Sequence, residues 1–254
     1  MPTALITGAT QGLGRALAEA LAARGWRLVI TARSRRALDA TAHELGSLTA
    51  VIPIAGDVTD ADHRRQLVGA IHTLGELDLL VNNASTLGPT PLRRLRQLGA
   101  SDLQEILAVD VVAPHALTHA LLPVLERAGG AVVNISSDAS VEHYETWGGY
   151  GAAKAALDHL SLTLAGEQPT IRVYAVDPGD MRTAMHQSAF PGEDIGDRPL
   201  PAEVAVPGIL ALLDAQAPSG RYRAAEAAER GRPEAGATAT TAVPAVSVDD
   251  EAAR

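Results

Sequence analysis

The chain has 254 residues, a formal net charge of −9 and a 46% hydrophobic composition, enough for one sizeable domain with a buried core. It contains no cysteine, which excludes disulfide frameworks, thiolate zinc sites and cysteine nucleophiles. Its acidic balance disfavours nucleic acid and anionic membrane surfaces, since both require a basic footprint, so a small molecule is the expected partner.

Short apolar runs alternate with longer helical patterns along the chain. A strand is expected near Ala4 to Thr7, then a helix near Leu13 to Arg24, a strand near Arg27 to Thr31 and a helix near Arg35 to Leu45. The alternation continues with a strand near Thr49 to Ala55, a helix near Ala61 to Leu74, a strand near Asp78 to Val81 and one long helix near Ser101 to Ala128. Further strands are expected near Ala131 to Ser136, Ile171 to Val176 and Gly220 to Arg223, with helices near Tyr150 to Gly166 and Ala202 to Ala215 between them. This order predicts a doubly wound α/β domain with a mostly parallel, Rossmann-like sheet over residues 1–223, its ligand lying at the carboxyl ends of the strands. After Tyr222 there is no Leu, Ile, Met or aromatic residue, so residues 224–254 are expected to form a disordered tail. No uninterrupted apolar run reaches membrane-spanning length and Met1 leads into strand-like TALIT, so a soluble cytoplasmic protein is expected. His115 and His119 are four apart without an intervening H-E-x-x-H carboxylate, and no metal site is expected.

The run Thr7-Gly8-Ala9-Thr10-Gln11-Gly12-Leu13-Gly14 follows the first strand and opens a helix. Gly8 permits a tight turn, Gly12 a close backbone approach to a pyrophosphate and Gly14 close packing of helix on sheet. The free N–H groups of the helix start, with Thr10, Gln11 and Leu13 around them, would face the phosphates. Tyr150 and Lys154, at i and i+4, share a helix face. A phenol with a pKa near 10 is a poor base at neutral pH, and a neighbouring ammonium lowers that value.

Taken together, the glycine spacing, Asn82-Asn83-Ala84 closing the fourth strand, Ser137 thirteen residues before Tyr150, Tyr150-Gly151-Ala152-Ala153-Lys154, and Pro178-Gly179 with Thr183 resemble the classical short-chain dehydrogenase/reductase family. The resemblance implies an oxidoreductase that moves a hydride between a nicotinamide cofactor and a carbonyl or secondary alcohol, with Tyr150 as general acid/base, Lys154 as its activator and Ser137 holding the substrate oxygen. It also implies a homodimer or homotetramer. Where the family has a catalytic asparagine holding a water in the proton relay, this chain has Val109-Asp110. Asp110 is expected to occupy the relay position in altered form and to raise the Tyr150 pKa, opposing Lys154; a structural helix residue is the alternative.

Cofactor choice is read from the exit of the second strand, where Ala32 takes the acidic position and Arg33 with Ser34 follows. Without a carboxylate to grip a ribose hydroxyl, and with a guanidinium suited to a 2′-phosphate, NADP(H) is expected over NAD(H). The resemblance places Asp57 and Val58 against the adenine, or Asp57 as a helix cap; Asn82 and Ala84 along the cofactor, with Asn83 also in the set or mainly a turn residue; and Pro178, Gly179 and Thr183 at the carboxamide. Residues Asp138 to Gly149 should border the substrate pocket, with His143 and His186 as wall or surface residues, and Arg182 to Pro199 resembles a lid. Two alternatives stay open: a non-catalytic NADP(H)-binding sensor or scaffold, and another reaction on the fold such as enoyl reduction or epimerisation.

Overall fold

Seven strands build the sheet that positions the site: β1 (Thr3–Thr7), β2 (Arg27–Ala32), β3 (Val51–Ala55), β4 (Leu79–Asn82), β5 (Ala131–Ile135), β6 (Arg172–Asp177) and β7 (Gly220–Arg223). All their pairings are parallel. Their spatial order is β3-β2-β1-β4-β5-β6-β7 in a computed structural model that describes residues 1–230. Chain direction across the sheet reverses between β1 and β4, which opens a crevice at their carboxyl ends. The predicted single doubly wound domain is what forms.

Helices cover both faces, so the strands are apolar almost throughout. Ile6, Ile30, Val81 and Val133 pack with Leu17 and Leu21 of α1 (Gly12–Ala23) and Ile209 of α8 (Ala205–Asp214). One residue along each strand, Leu5, Val29, Leu80 and Val132 point the other way, onto Leu67 and Ile71 of α3 (Ala61–Leu74) and Leu117 and Leu121 of α5 (Ala113–Ala128). Pro53, which has no N–H for a ladder bond, is exposed on β3 at the sheet edge. The remaining helices are α2 (Arg35–Leu45), α4 (Ala100–Leu107), α6 (Gly148–Glu167), α7 (Ala184–Ala189) and α9 (Ala224–Arg230).

Two expectations change. The long helix before β5 is not uniform: between α4 and α5 lies a π-helical turn, Ala108–Val112, in which the Ala113 N–H bonds the Ala108 carbonyl. Pro114 supplies the cause, because it has no N–H for the Asp110 carbonyl four residues back and its ring would collide with it. By length and composition the whole stretch Ala100–Ala128 could cross a membrane, but its Leu117, Leu121 and Leu125 are spent on the core. The second change concerns the tail, whose first residues are helical. Ala224 and Ala227, three apart, bury against α8, where the missing side chain of Gly208 admits the Ala224 carbonyl. A narrow alanine stripe gives this close packing without the large apolar residues that the composition argument looked for. Residues 231–254 of the expected tail lie outside the described residues.

Candidate active site

A cleft of about 950 Å³ runs along the carboxyl edge of the sheet from the β2 and β3 exits to the start of α6. At one end the β1–α1 turn forms its floor. Gly8 has φ +68°, and an added Cβ would come within 2.9 Å of the Asn83 amide nitrogen. That amide donates to the carbonyls of Thr7 (2.8 Å) and Gly8 (3.2 Å), strapping the loop to the β4 exit. The start of α1 has no side-chain cap and no acidic residue in its first turn, so its N–H groups and the positive end of its dipole are open to an anion. Thr10, Gln11, Gly12 and Leu13 line the cleft; Gly14 does not. A Cβ on Gly14 would strike the Gly8 carbonyl and Asn83, so its part is helix packing rather than cofactor contact.

Arg33, Ser34, Asp57 and Val58 surround the outer part of this end. Arg33 is exposed, and Ser34 caps α2 by accepting from the Ala37 N–H (3.3 Å). Asp57 does not cap α3; Asp60 does, while Asp57 Oδ1 accepts from the Thr59 N–H (2.8 Å) and hydroxyl (2.7 Å). Burial pushes the Asp57 carboxyl up, but these bonds and nearby Arg33 hold it below its ordinary value. Asn83 and Ala84 line the cleft, whereas Asn82 is buried beneath it. The Asn82 amide nitrogen donates to Asn134 (2.7 Å) and Thr118 (3.2 Å) inside the fold, while its Oδ1 is buried without a hydrogen-bond partner. The uncapped helix start, the glycine turn and the length of the cleft fit a bound dinucleotide held by Gly8 to Leu13 at its phosphates.

At the other end α6 comes against the β5 exit. Gly151 makes this possible, since a Cβ there would sit 2.6 Å from the Ala139 carbonyl oxygen. Tyr150 and Lys154 therefore face Ser137 across the cleft wall. Ser137 Oγ donates to Asp138 Oδ1 (3.0 Å) and accepts from the Ala139 N–H (3.2 Å). Lys154 is buried, its Nζ 5.3 Å from the Tyr150 ring centre, donating to the Ile135 carbonyl (2.9 Å) and paired with Asp110 Oδ1 (3.0 Å).

Asp110, in the π-helical turn, is 0% exposed and does not line the cleft. The Ser85 hydroxyl donates to its Oδ1 and the Thr86 N–H to its Oδ2 (3.2 Å). Burial pushes the Tyr150 phenol up; Lys154 opposes this, Asp110 adds to it, and the hydroxyls of Ser137 and Ser85 oppose it again. The balance lies above the ordinary tyrosine value, so the expected lowering by Lys154 is outweighed. For Lys154, burial pushes the ammonium down, but Asp110 and Tyr150 raise it above its ordinary value and keep it charged.

Pro178, Gly179 and Thr183 line the cleft between the two ends; Asp177 Oδ1 accepts from the Gly179 N–H (3.0 Å), and Thr183 caps α7 against Gly12. Tyr144, Trp147, Met185 and Phe190 wall the substrate side, with Trp147 between Tyr150 and Phe190 at 5.7 and 5.9 Å. His186 also lines the cleft, 3.8 Å from Asp180, while Glu142 and His143 face a separate outer groove.

The sequence reading missed two residues. Ser85 adjoins the Asn82-Asn83-Ala84 run, and its position at a strand exit was the available signal. Arg221, on β7, donates to Asp158 (2.9 Å), to the Ser137 carbonyl (2.9 Å) and to the Ser140 hydroxyl (3.2 Å), and stands 3.7 Å from Asp177. It ties Ser137 to α6 and to the β6 exit, and nothing in its local sequence announces this.

Comparison with known proteins gives a match of residues 2–194 to the family described as short chain dehydrogenase. Serine 3-dehydrogenase of Agrobacterium fabrum is 38% identical over 187 residues, covering 71% of this chain and 72% of the relative. Among solved structures, an alcohol dehydrogenase from Thermococcus sibiricus complexed with 5-hydroxy-NADP superposes with a TM-score of 0.79 at 30% identity, covering 88% of this chain and 95% of that one. A short-chain dehydrogenase from Sphingobium yanoikuyae in complex with NADPH gives 0.77 at 28% identity, covering 88% and 87%.

Proposed function

The chain belongs to the short-chain dehydrogenases and is a nicotinamide-dependent oxidoreductase; from that premise we propose that it reduces a carbonyl substrate with NADPH, using Tyr150 as the proton donor. The observation that carries this reading is the convergence of Ser137, Tyr150 and Lys154 on one wall of a cleft whose far end is the glycine turn and Arg33. When bound, the nicotinamide supplies or takes the hydride. Ser137 orients the substrate oxygen toward the phenol, exchanging its bond to Asp138 for one to that oxygen. Tyr150 delivers a proton to the oxygen as it gains charge. Buried Lys154 holds a positive charge beside the phenolate that remains, and Asp110 keeps that charge in place in the relay position. A phenol pushed above its ordinary value is protonated at neutral pH, the form that a proton donor requires.

Preference for NADPH is supported by exposed Arg33 at the β2 exit and by Ala32 in the acidic position, and by solved relatives complexed with NADP-type cofactors. Asp57 Oδ2, free of its neighbour's bonds, and Val58 suit the adenine, and Pro178, Gly179 and Thr183 suit the carboxamide. Exposed Leu160 and Leu162 on α6, and Val112 before α5, support pairing of two copies through these helices.

A panel of ketones and aldehydes, followed by NADPH absorbance, tests the proposal. Turnover is expected, with loss of about 10²-fold or more in Tyr150→Phe. NADPH binding without turnover on any carbonyl would favour a cofactor-binding sensor instead.

A further inference from the structure

The carboxylates that line the substrate side of the cleft are not all balanced by cations. Asp177 has Arg221 and Arg223 at 3.7 Å, and Asp180 has Arg198 at 3.6 Å and His186 at 3.8 Å. Asp138, half-buried after β5, lines the same side and has no ion-pair partner among the described residues. Its Oδ1 accepts from the Ser137 hydroxyl (3.0 Å) and the Ala139 N–H (2.8 Å), and its Oδ2 from the Tyr144 phenol (2.9 Å). We propose that Asp138 is a specificity-determining residue whose carboxylate binds an ammonium group on the carbon next to the substrate carbonyl, so that the substrate is an α-amino ketone. The proposal rests on the reading that Ser137 holds the substrate oxygen.

When Ser137 turns its hydrogen to the carbonyl oxygen, Asp138 Oδ1 keeps only the Ala139 N–H. A carboxylate accepts at about four positions and donates at none, so a donor on the substrate can take the place that Ser137 gives up. A substituent one carbon from the carbonyl is in reach, because the carbonyl oxygen and Oδ1 are then both neighbours of the same Ser137 hydroxyl. An ammonium fits better than a neutral donor: it brings the charge that Asp138 lacks, and its charge-assisted bond is roughly twice as strong. Tyr144 and Trp147 line this wall as well, and the faces of such rings attract a cation. An anionic substituent meets the opposite field. Among the described residues, the basic side chains lining the cleft are Arg33 at the far end, Lys154, already paired with Asp110, and His186 beside Asp180. A carboxylate next to the carbonyl would therefore lie against Asp138 with no uncommitted cation to pair with. The other substituent of the ketone would meet the apolar wall of Trp147, Met185 and Phe190.

The test uses two ketones of one shape, phenacylamine as its ammonium form and neutral propiophenone. The corresponding alcohols, phenylethanolamine and ethylphenylcarbinol, serve as ligands of the NADPH-saturated protein. Taking the ratio of kcat/KM for the two ketones cancels any effect of a substitution on Ser137, which both share. In Asp138→Asn, which keeps an acceptor for Ser137 and Ala139, that ratio should fall about tenfold. Phenylglyoxylate, which carries a carboxylate in place of the aminomethyl group, should gain relative to propiophenone in the same variant. By calorimetry the amino alcohol should bind the native protein about tenfold more tightly than the neutral alcohol and lose that preference in Asp138→Asn. Equal binding of the two alcohols by the native protein, or a preference that Asp138→Asn leaves intact, overturns the proposal. An unchanged ketone ratio in Asp138→Asn also overturns it and leaves carbonyl reduction standing. A binding preference that Asp138→Asn abolishes, with no ketone turned over, would instead overturn the carbonyl-reduction reading and leave the ammonium site in place.

Discussion

The two ends of the cleft are built on different principles. At the cofactor end the contacts on offer are backbone N–H groups, an exposed arginine and a partly used carboxylate, all on loops that follow β1, β2 and β3. The proposed catalytic end is a set of charges drawn from across the chain, buried Asp110 against buried Lys154, and half-buried Arg221 against Asp158 and the Ser137 carbonyl. One end waits for its partner's charge, while the other carries its own compensation. Substitutions should therefore cost binding at the first and stability or rate at the second.

The largest effect is expected for Lys154→Met, which leaves Asp110 buried with no cation. Removing one partner of a buried ion pair costs about 3–5 kcal/mol, to be read in urea unfolding, and turnover should vanish. Lys154→Met/Asp110→Asn should recover much of the stability and none of the turnover; an unstable double variant would show that the pair is not what the single change disrupts. The sign with pH follows from Lys154, whose folded value is raised. Its contribution is complete below the ordinary lysine value and is lost as pH rises through the raised one.

Next comes Arg221→Met. Ser137 keeps its hydroxyl but its carbonyl loses the guanidinium that ties it to α6. A displacement of even an ångström costs about 10²-fold in rate, so kcat should fall by about that factor while NADPH affinity, set at the other end, holds. Native kcat would sink the idea that β7 positions the serine. A subtler change is expected in Asp110→Asn. Its carboxylate raises the phenol, so removing it should move the alkaline fall of the reduction rate to lower pH. An unmoved limb would show that Asp110 does not act on Tyr150.

The same contrast explains what could be read from the sequence. Alternating apolar strands and helix patterns revealed the sheet and its order of elements, because each is a local periodicity. The glycine turn was legible for the same reason: its spacing is a requirement of one loop. Asn82 was misplaced within that end, since the motif says that it belongs there but not whether it faces the ligand or the core, whereas Gly14 packs helix on sheet as its place in the motif implies. At the catalytic end Tyr150 and Lys154 were legible as a helix pair, yet the net effect on the phenol was not, because burial outweighs the ammonium. The Asp110 turn depends on Pro114, a local signal passed over, whereas Arg221 meets Ser137 only through the order of β5, β6 and β7.

The smallest effect is expected at the open end, from Arg33→Ala. The guanidinium is exposed on the β2 exit, with Ser34 beside it already used as the α2 cap, so its loss should leave the melting temperature unchanged. Its proposed role is a charge-assisted contact to a 2′-phosphate, and losing that contact should raise the KM for NADPH about tenfold, or ~1.4 kcal/mol. The KM for NADH should hardly move, because that cofactor has no phosphate there. Added salt should weaken NADPH binding to the native protein and do less to the variant, since an exposed charge pair is screened. If Arg33→Ala raised both KM values equally, the arginine would be supporting the loop rather than reading the phosphate, and the two ends of the cleft would differ less than their burial suggests.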